Sequence, residues 1–357
     1  MNKRKINEQS FFDACNNGEL DKVNELLANG VDPLCKNEDG WTGFIYAAMN
    51  GHLDVFKTIE RKAADDRKFS HQRQRDIFRA MDYAIQNGHE NIVNYVLEQS
   101  KTTPTEQFLF DDALHQAAKH GKLDMAKQFI ARGADIHDQA ELALRVAADC
   151  GHTETVKYLV ELGSDINACD SIALVQSARN GHTEIVDFLV KRGANIHAEN
   201  DDALVYAALN GHADIARILL ENGADINAQE RGPVLYAARN GHNDVLDLYL
   251  EKGIDIFDQG ACPISEAIYN NHLSVAKNLI INHNITVSEK TIEQLHESKE
   301  TAIQLRQNHS IIDETFLLIE KQKLHSKLQN KLVLTMEPTA QQPCEKQAPK
   351  KAQVLKI

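Results

Sequence analysis

The chain has 357 residues, 42% of them hydrophobic and 25% charged, and carries a formal net charge of −13 at pH 7. That acidity argues against the nucleic-acid backbone as a ligand, and no apolar run approaches the ~18 residues that span a bilayer. Six cysteines, Cys15, Cys35, Cys150, Cys169, Cys262 and Cys344, lie far apart with no C-x-x-C pair, which excludes a zinc or disulfide framework and points to a reducing cytoplasm.

Residues 1–10 are polar, with no hydrophobic stretch for a signal peptide. A glycine followed by histidine, or a relic of that pair, then recurs at Gly18, Gly51, Gly88, Gly121, Gly151, Gly181, Gly211 and Gly241, with Asn271 as a degenerate ninth. Successive markers stand 33, 37 and 33 residues apart and then 30 residues apart five times. Self-similarity at this period means a stacked array. It predicts nine units over about residues 8–286, inside an array domain of residues 1–286.

The 37-residue step coincides with a basic stretch, residues 57–79. Here Lys57, Arg61, Lys62, Arg67, Lys68, Arg73, Arg75 and Arg79 face four acids. It reads as an insertion that lengthens a helix or loop between the second and third units. A solvated helical face is preferred there over a site for an anionic partner.

The central units show the physics of one copy. Leu204-Val205-Tyr206-Ala207-Ala208 predicts a short helix whose alanines let a neighbour approach closely, ending at Asn210-Gly211 because glycine adopts the left-handed conformation of a helix stop. A second helix follows, with Ile215, Ala216, Leu219 and Leu220 on one apolar stripe, and it ends at Gly223. One such pair cannot bury both its faces, so stacked neighbours complete the core.

The copies around Ala147-Ala148-Asp149-Cys150-Gly151-His152, Ser177-Ala178-Arg179-Asn180-Gly181-His182, Ala207-Ala208-Leu209-Asn210-Gly211-His212 and Ala237-Ala238-Arg239-Asn240-Gly241-His242, each followed by a G-A-D/N-I-like turn, resemble the ankyrin repeat. The family's opening T-P-L-H is worn down, Asp112-Ala113-Leu114-His115 and Thr42-Gly43-Phe44-Ile45 being the nearest forms. Aligned on the G-H pair, the thirty-residue units lack three residues between Ala228 and Leu235 and their equivalents, where the family forms its protruding hairpin fingers. The resemblance therefore implies an all-α ankyrin solenoid of about nine helix-turn-helix units with short β-turn fingers. Units of this length are similar in style to ankyrin arrays of giant viruses and intracellular bacteria.

His52, His89, His152, His182, His212, His242 and His272 form a ladder, but copies one unit apart stand roughly 10 Å apart and a zinc ion gathers its ligands within about 2 Å. They are read as turn residues tying one unit to the next. Asp135, Asp165, Asp225 and Asp255 recur once per unit, which is turn chemistry rather than converging catalytic acids. No phosphate loop, H-E-x-x-H, G-x-S-x-G or kinase signature is present. No catalytic residue, cofactor or metal is assigned, and the chain is read as non-enzymatic.

After Asn282-His283-Asn284 the pattern breaks. Residues 287–334 predict a helical extension with an apolar edge at Ile312, Phe316, Ile319, Leu324, Leu328 and Leu332, whose first half is read as a cap on the last repeat. Residues 335–357, with Pro338, Pro343 and Pro349, predict a disordered tail.

What the family resemblance implies for function is a protein-binding groove. By register, the finger set is Gln139, Glu141, Asp170, Ser171, Glu199, Asn200, Asp201, Gln229, Glu230 and Arg231, and the helix set is Asp149, Gln176, Arg179, Tyr206, Leu209, Tyr236 and Arg239. Of these, Asp149, Gln176, Arg179, Tyr206, Leu209, Tyr236, Arg239, Glu199, Asp201, Glu230 and Arg231 are the candidate contacts. Partial burial of Tyr206 and Tyr236 between units is the competing reading. Residues 107–259 hold 13 Lys and Arg against 25 Asp and Glu, so the expected partner is a protein with a basic patch, not nucleic acid or membrane, bound by a monomeric scaffold. The alternatives are an effector exported by a microbe into a host cell's cytoplasm, for which the flexible tail resembles an export signal, and an enzyme or substrate-recruiting adaptor working through the C-terminal extension.

Overall fold

The computed structural model describes residues 3–64, 70–100, 106–256, 263–270 and 272–283, with isolated positions between 292 and 324. The chain divides into two compact units, Met1–Pro263 and Ile264–Ile357. All regular structure among the described residues is helical.

The first unit is eight helix pairs in sequence. They are α1 (Lys3–Asn17) with α2 (Leu20–Ala28), α3 (Gly43–Met49) with α4 (Leu53–Ala64), α5 (Ser70–Asn87) with α6 (Glu90–Ser100), and α7 (Glu106–Lys119) with α8 (Leu123–Ala131). The thirty-residue copies follow as α9 (Asp138–Asp149) with α10 (Thr153–Glu161), α11 (Ala168–Arg179) with α12 (Thr183–Lys191), α13 (Asp202–Asn210) with α14 (Ala213–Glu221), and α15 (Ala228–Arg239) with α16 (Asn243–Glu251). First helices pack on first helices and second on second, giving two layers. The 37-residue step is absorbed by helix: α5 runs 18 residues and α4 runs 12, where the later second helices run nine.

Alanine pairs at the ends of the first helices, among them Ala147, Ala148, Ala207, Ala208, Ala237 and Ala238, are fully buried. Their small side chains let consecutive first helices approach closely. Ser177, fully buried in α11, is tolerated because its hydroxyl donates to the Ala173 carbonyl at 2.7 Å. On the second helices Ile185, Val186 and Leu189 are buried completely, as are Ile215, Ala216 and Leu219.

The histidine ladder is the seam. In each turn the histidine's backbone N–H closes its own helix, as in His182 to the Ser177 carbonyl at 2.9 Å and His212 to that of Ala207 at 2.8 Å. Its ring Nε2 meanwhile donates to a carbonyl at the end of the preceding unit's first helix. His52 reaches Asn16, His89 reaches Met49, His152 reaches Lys119, His182 reaches Asp149, His212 reaches Arg179 and His242 reaches Leu209, at 2.8 to 3.2 Å. The carbonyls of Asp149, Arg179 and Leu209 also accept from Asn180, Asn210 and Asn240. Carbonyls that a helix end leaves without a partner are thus satisfied by the next unit. The glycine beside each ring has φ near +80°, and a Cβ on Gly151 or Gly211 would lie 2.5 Å from the following histidine.

A second seam joins the turns. Asp135, Asp165 and Asp225 each accept a hydrogen bond from the backbone N–H two residues on, the turn role read from the sequence. Their own turns are tied to the preceding unit: Asp135 N–H donates to Asp111, Asn195 N–H to Asn167, and Asp225 N–H to Asp201, while Arg231 donates to the Asp255 carbonyl.

The fingers differ from the expected β-turn. The connection after the first helix pair forms a turn closed by Asn37 N–H to the Trp41 carbonyl and by the Asn37 side chain accepting from Asp39 and Trp41. In the thirty-residue units three successive residues, such as Glu199, Asn200 and Asp201, take positive φ and lead straight into the first helix. Three residues fewer leave no length for paired strands, and the chain reverses through a left-handed turn instead.

In the second unit α17 (Pro263–Tyr269) and α18 (Leu273–Lys277) continue into a π-helical turn, Asn278–Asn282. Further on, Ile319 is buried, the His296 and Phe316 rings lie 4.4 Å apart, and Leu324 is exposed. Most of the expected extension, residues 287–334, and all of the expected tail, residues 335–357, lie outside the described residues.

Two outcomes test these seams. Gly181→Ala and Gly193→Ala carry nearly equal φ, +82° and +88°, so both should lose about 1–2 kcal/mol to left-handed strain. Only at Gly181 does the added Cβ meet a ring, 2.7 Å from His212 Cε1, so only there should urea unfolding show an extra loss, relieved in the His212→Ala background. Equal losses at the two positions would remove the packing half of the argument.

The other outcome concerns Asp82, half-buried in α5. Burial, and then the Asp112 carboxylate, push its pKa up to about 7, and one of its oxygens has no hydrogen-bond partner among the described residues. A raised folded-state pKa contributes stability that is full below its unfolded value, near 4, and lost as pH rises through about 7. Asp82→Asn should therefore gain stability over the parent at pH about 8 and lose that advantage at pH about 4. A difference independent of pH would show that the carboxyl is not protonated in the folded chain.

Candidate functional site

Positions five and two residues before each turn glycine lie on the edge of the first-helix layer that stays accessible. Tyr206 and Tyr236 sit there on adjacent units, each half-buried. The Arg179 guanidinium lies over the Tyr206 ring at 5.4 Å, crossing a unit boundary. Arg239 lies over Tyr236 at 5.5 Å within α15, three residues along the same helix. Such contacts contribute about 0.5–1 kcal/mol at exposed sites.

Around this stripe Gln176 and Leu209 are half-buried and Asp149 is exposed. The Asp149 carboxylate accepts from Asn180 Nδ2 at 2.9 Å, so it is fixed in place rather than waving in solvent. At the turns Glu199 and Glu230 are exposed, as are Gln139, Asp170 and Asn200, with Gln229 half-buried and donating to Asp202. The face is zoned: arginine, tyrosine and leucine on the helices, carboxylates on the tips.

Four of the finger residues are not on this face. Asp201 and Arg231, expected as contacts, are buried, with 4% and 6% of their surface accessible, and Glu141 and Ser171 are buried likewise. Each is the third residue of its left-handed turn. The short turn sends that side chain inward, where Asp201 and Arg231 bond backbone groups of the following turn and Glu141 and Ser171 bond the side chain four residues back. Asp201 accepts from Asp225 N–H at 3.1 Å and faces His197 Nδ1 at 3.1 Å, whereas Glu141 meets His137 Nδ1 at 2.6 Å. The hydrogen bond that His137 donates to the Glu141 carboxylate raises the His137 pKa.

The same register also yields residues that reasoning on the central copies missed. Five before Gly51 and Gly88 stand Tyr46 and Tyr83, in the positions of Tyr206 and Tyr236. Trp41 packs on both at 5.6 Å, and Phe12 lies 5.7 Å from Tyr46. The half-buried Trp41, Tyr46 and Tyr83 form a second aromatic patch on the first-helix face. Extending the glycine count to the longer units would have found its tyrosines.

Among the described residues no group of three or more His, Cys, Asp or Glu could hold a metal ion, and no helix is long and apolar enough to cross a membrane. Cys15, Cys35, Cys150 and Cys169 form no disulfide among the described residues, and the Cys15 thiol is buried with its pKa raised mainly by that burial.

A family model described as ankyrin repeats (3 copies) matches the chain three times, over residues 11–108, 105–170 and 163–230. Together with stacked helix pairs joined at glycine–histidine turns, these matches over more than half of the 357 residues place the chain in the ankyrin-repeat family, whose repeats are protein-interaction modules.

Proposed function

We propose that this chain is a non-enzymatic scaffold that docks a partner protein on its first-helix face, with Arg179, Tyr206, Leu209, Tyr236 and Arg239 as the central contacts. The observation that carries this reading is the pair of stacked Arg–Tyr contacts, half-exposed on adjacent units. Tyrosine and arginine are the residue types that dominate interface energetics. Rings already held by the array lose little entropy on docking, so affinity comes from their desolvation rather than from ordering the scaffold.

The exposed carboxylates Glu199 and Glu230 at the tips, in an array with an excess of acid, select a partner whose docking segment carries a basic patch. Apolar side chains of that segment would rest on Tyr206 and Tyr236. The free thiols fit a reducing cytoplasm.

Affinity capture with the full chain beside Arg179→Ala/Tyr206→Ala/Tyr236→Ala/Arg239→Ala should retain a protein on the parent and lose it on the variant, with helix content by circular dichroism unchanged. The captured partner's association rate should fall steeply as salt rises. Retention by the four-residue variant would move the interface elsewhere, and an on-rate indifferent to salt would remove the basic-patch argument.

A further inference from the structure

The basic stretch between the second and third units lines a cavity. Lys57, Arg61 and Ala64 of α4, Arg73 of α5 and Tyr95 of α6 surround a space of about 320 Å³. Among the described residues, the only carboxylate lining it is Glu60. Lys57 and Arg61, four residues apart, share one face of their helix, and Ala64 one turn further leaves the room that a larger side chain would fill. The extra length of α4 and α5 is what brings these groups around one space.

Three cations and one carboxylate would be unremarkable if they paired, but they do not pair with each other. Glu60 accepts instead from the Tyr95 hydroxyl at 2.5 Å. Burial and that same contact push the Tyr95 pKa up to about 12, so the phenol stays a donor to Glu60. Lys57 sits 5.0 Å from the centre of the Tyr95 ring. Among the described residues, Lys57, Arg61 and Arg73 enter no ion pair.

Helix electrostatics account for one of the three only. Arg61 lies in the last turn of α4, where a cation is favoured by the helix dipole. Arg73 lies in the first turn of α5, where a cation is disfavoured, and Lys57 and Arg61 repel one another across a single helical turn. A chain with a net charge of −13 has thus gathered three cations that form no ion pair among the described residues, and only Arg61 has the helix dipole in its favour.

We propose that this cavity is a binding site for a compact polyanion bearing two or more phosphate groups, held by forked contacts from Arg61 and Arg73 and by the Lys57 ammonium. Arginine matches phosphate oxygens two at a time, and a space of this size is at the small end of ligand pockets, which run about 300–1,000 Å³. The same headgroup chemistry occurs free in solution and on phosphoinositide lipids.

The test is calorimetric titration of the full chain with sodium tripolyphosphate, beside Arg61→Gln/Arg73→Gln and the charge-keeping Arg61→Lys/Arg73→Lys. Flotation with phosphatidylcholine vesicles, plain or containing a phosphoinositide, runs in parallel. Each lost arginine fork should weaken tripolyphosphate binding by about tenfold or more, and the lysine pair should recover only part of it. Both variants should keep the parent's melting temperature, since Arg61 is exposed and Arg73 half-exposed. Arginine-dependent capture by phosphoinositide vesicles as well would identify the lipid headgroup as the source, and tripolyphosphate binding without vesicle capture would identify a soluble ligand. Equal binding by parent and glutamine variant, or binding of neither probe by the parent, would overturn the proposal.

Discussion

The hydrogen bond from a turn histidine's ring to the last free carbonyls of the preceding helix is the contact on which the array depends. A short helix of nine residues leaves as many carbonyls open at its end as a long one, so the deficit per residue is severe in a protein made of short helices. Each unit closes its own helix with the histidine's backbone and its neighbour's with the histidine's ring. The two tasks need the residue immediately after a left-handed glycine, and the glycine in turn must lack a side chain because the next ring occupies that space. One dipeptide therefore fixes helix length, unit spacing and the direction of stacking together.

The turn seam solves a different problem with less uniform chemistry. Removing three residues from the finger took away the hairpin in which the tip's backbone would be paired, and a buried side chain at the end of the left-handed turn takes over. The copies solve this in matched pairs: His137 with Glu141, Asn167 with Ser171, and His197 with Asp201. Where the fourth copy has Arg231, the side chain donates to the Asp255 carbonyl, whereas Asp201 in the copy before it accepts from the Asp225 N–H. Pairing within each copy matters more than the identity of either partner. A buried acid here has a histidine or backbone donor beside it, and a short hydroxyl works through an asparagine.

Periodicity was enough to read the helices, their stops and the histidine seam, because those features repeat with the unit and depend on residue types that have few substitutes. Asp201 and Arg231 were misplaced for the opposite reason. A register carried over from units with full hairpins assigns them to the exposed tip, whereas a three-residue left-handed turn rotates the last side chain by enough to bury it. Nothing in the residues Glu199-Asn200-Asp201 announces consecutive positive φ values, which non-glycine residues seldom adopt. Tyr46 and Tyr83 were legible by the same glycine count that found Tyr206 and Tyr236. The cavity around Tyr95 was not, because the basic stretch shows charge in sequence but only the lengthened helices bring Lys57, Arg61 and Arg73 around one space.

In a stack, stability is a sum of unit and nearest-neighbour terms, so a join that loses its seam weakens coupling at that point alone. The join between the third and fourth units is such a place. Lys122 follows Gly121 where most copies have histidine, and the space beside Gly88 that a ring would fill is met only by the Lys122 ammonium at 3.8 Å. Asp82 and Asp112 face one another across the same join, and each carboxyl has its pKa raised by burial. A missing ring bond and two opposed acids both act against stacking. The aromatic patch at Trp41 and the basic cavity lie on one side of this join, and the Arg–Tyr stripe lies on the other. A join weakened in this way couples the two surfaces less tightly than a seam with its ring bond would, so residues on one side change with less energetic consequence for the other.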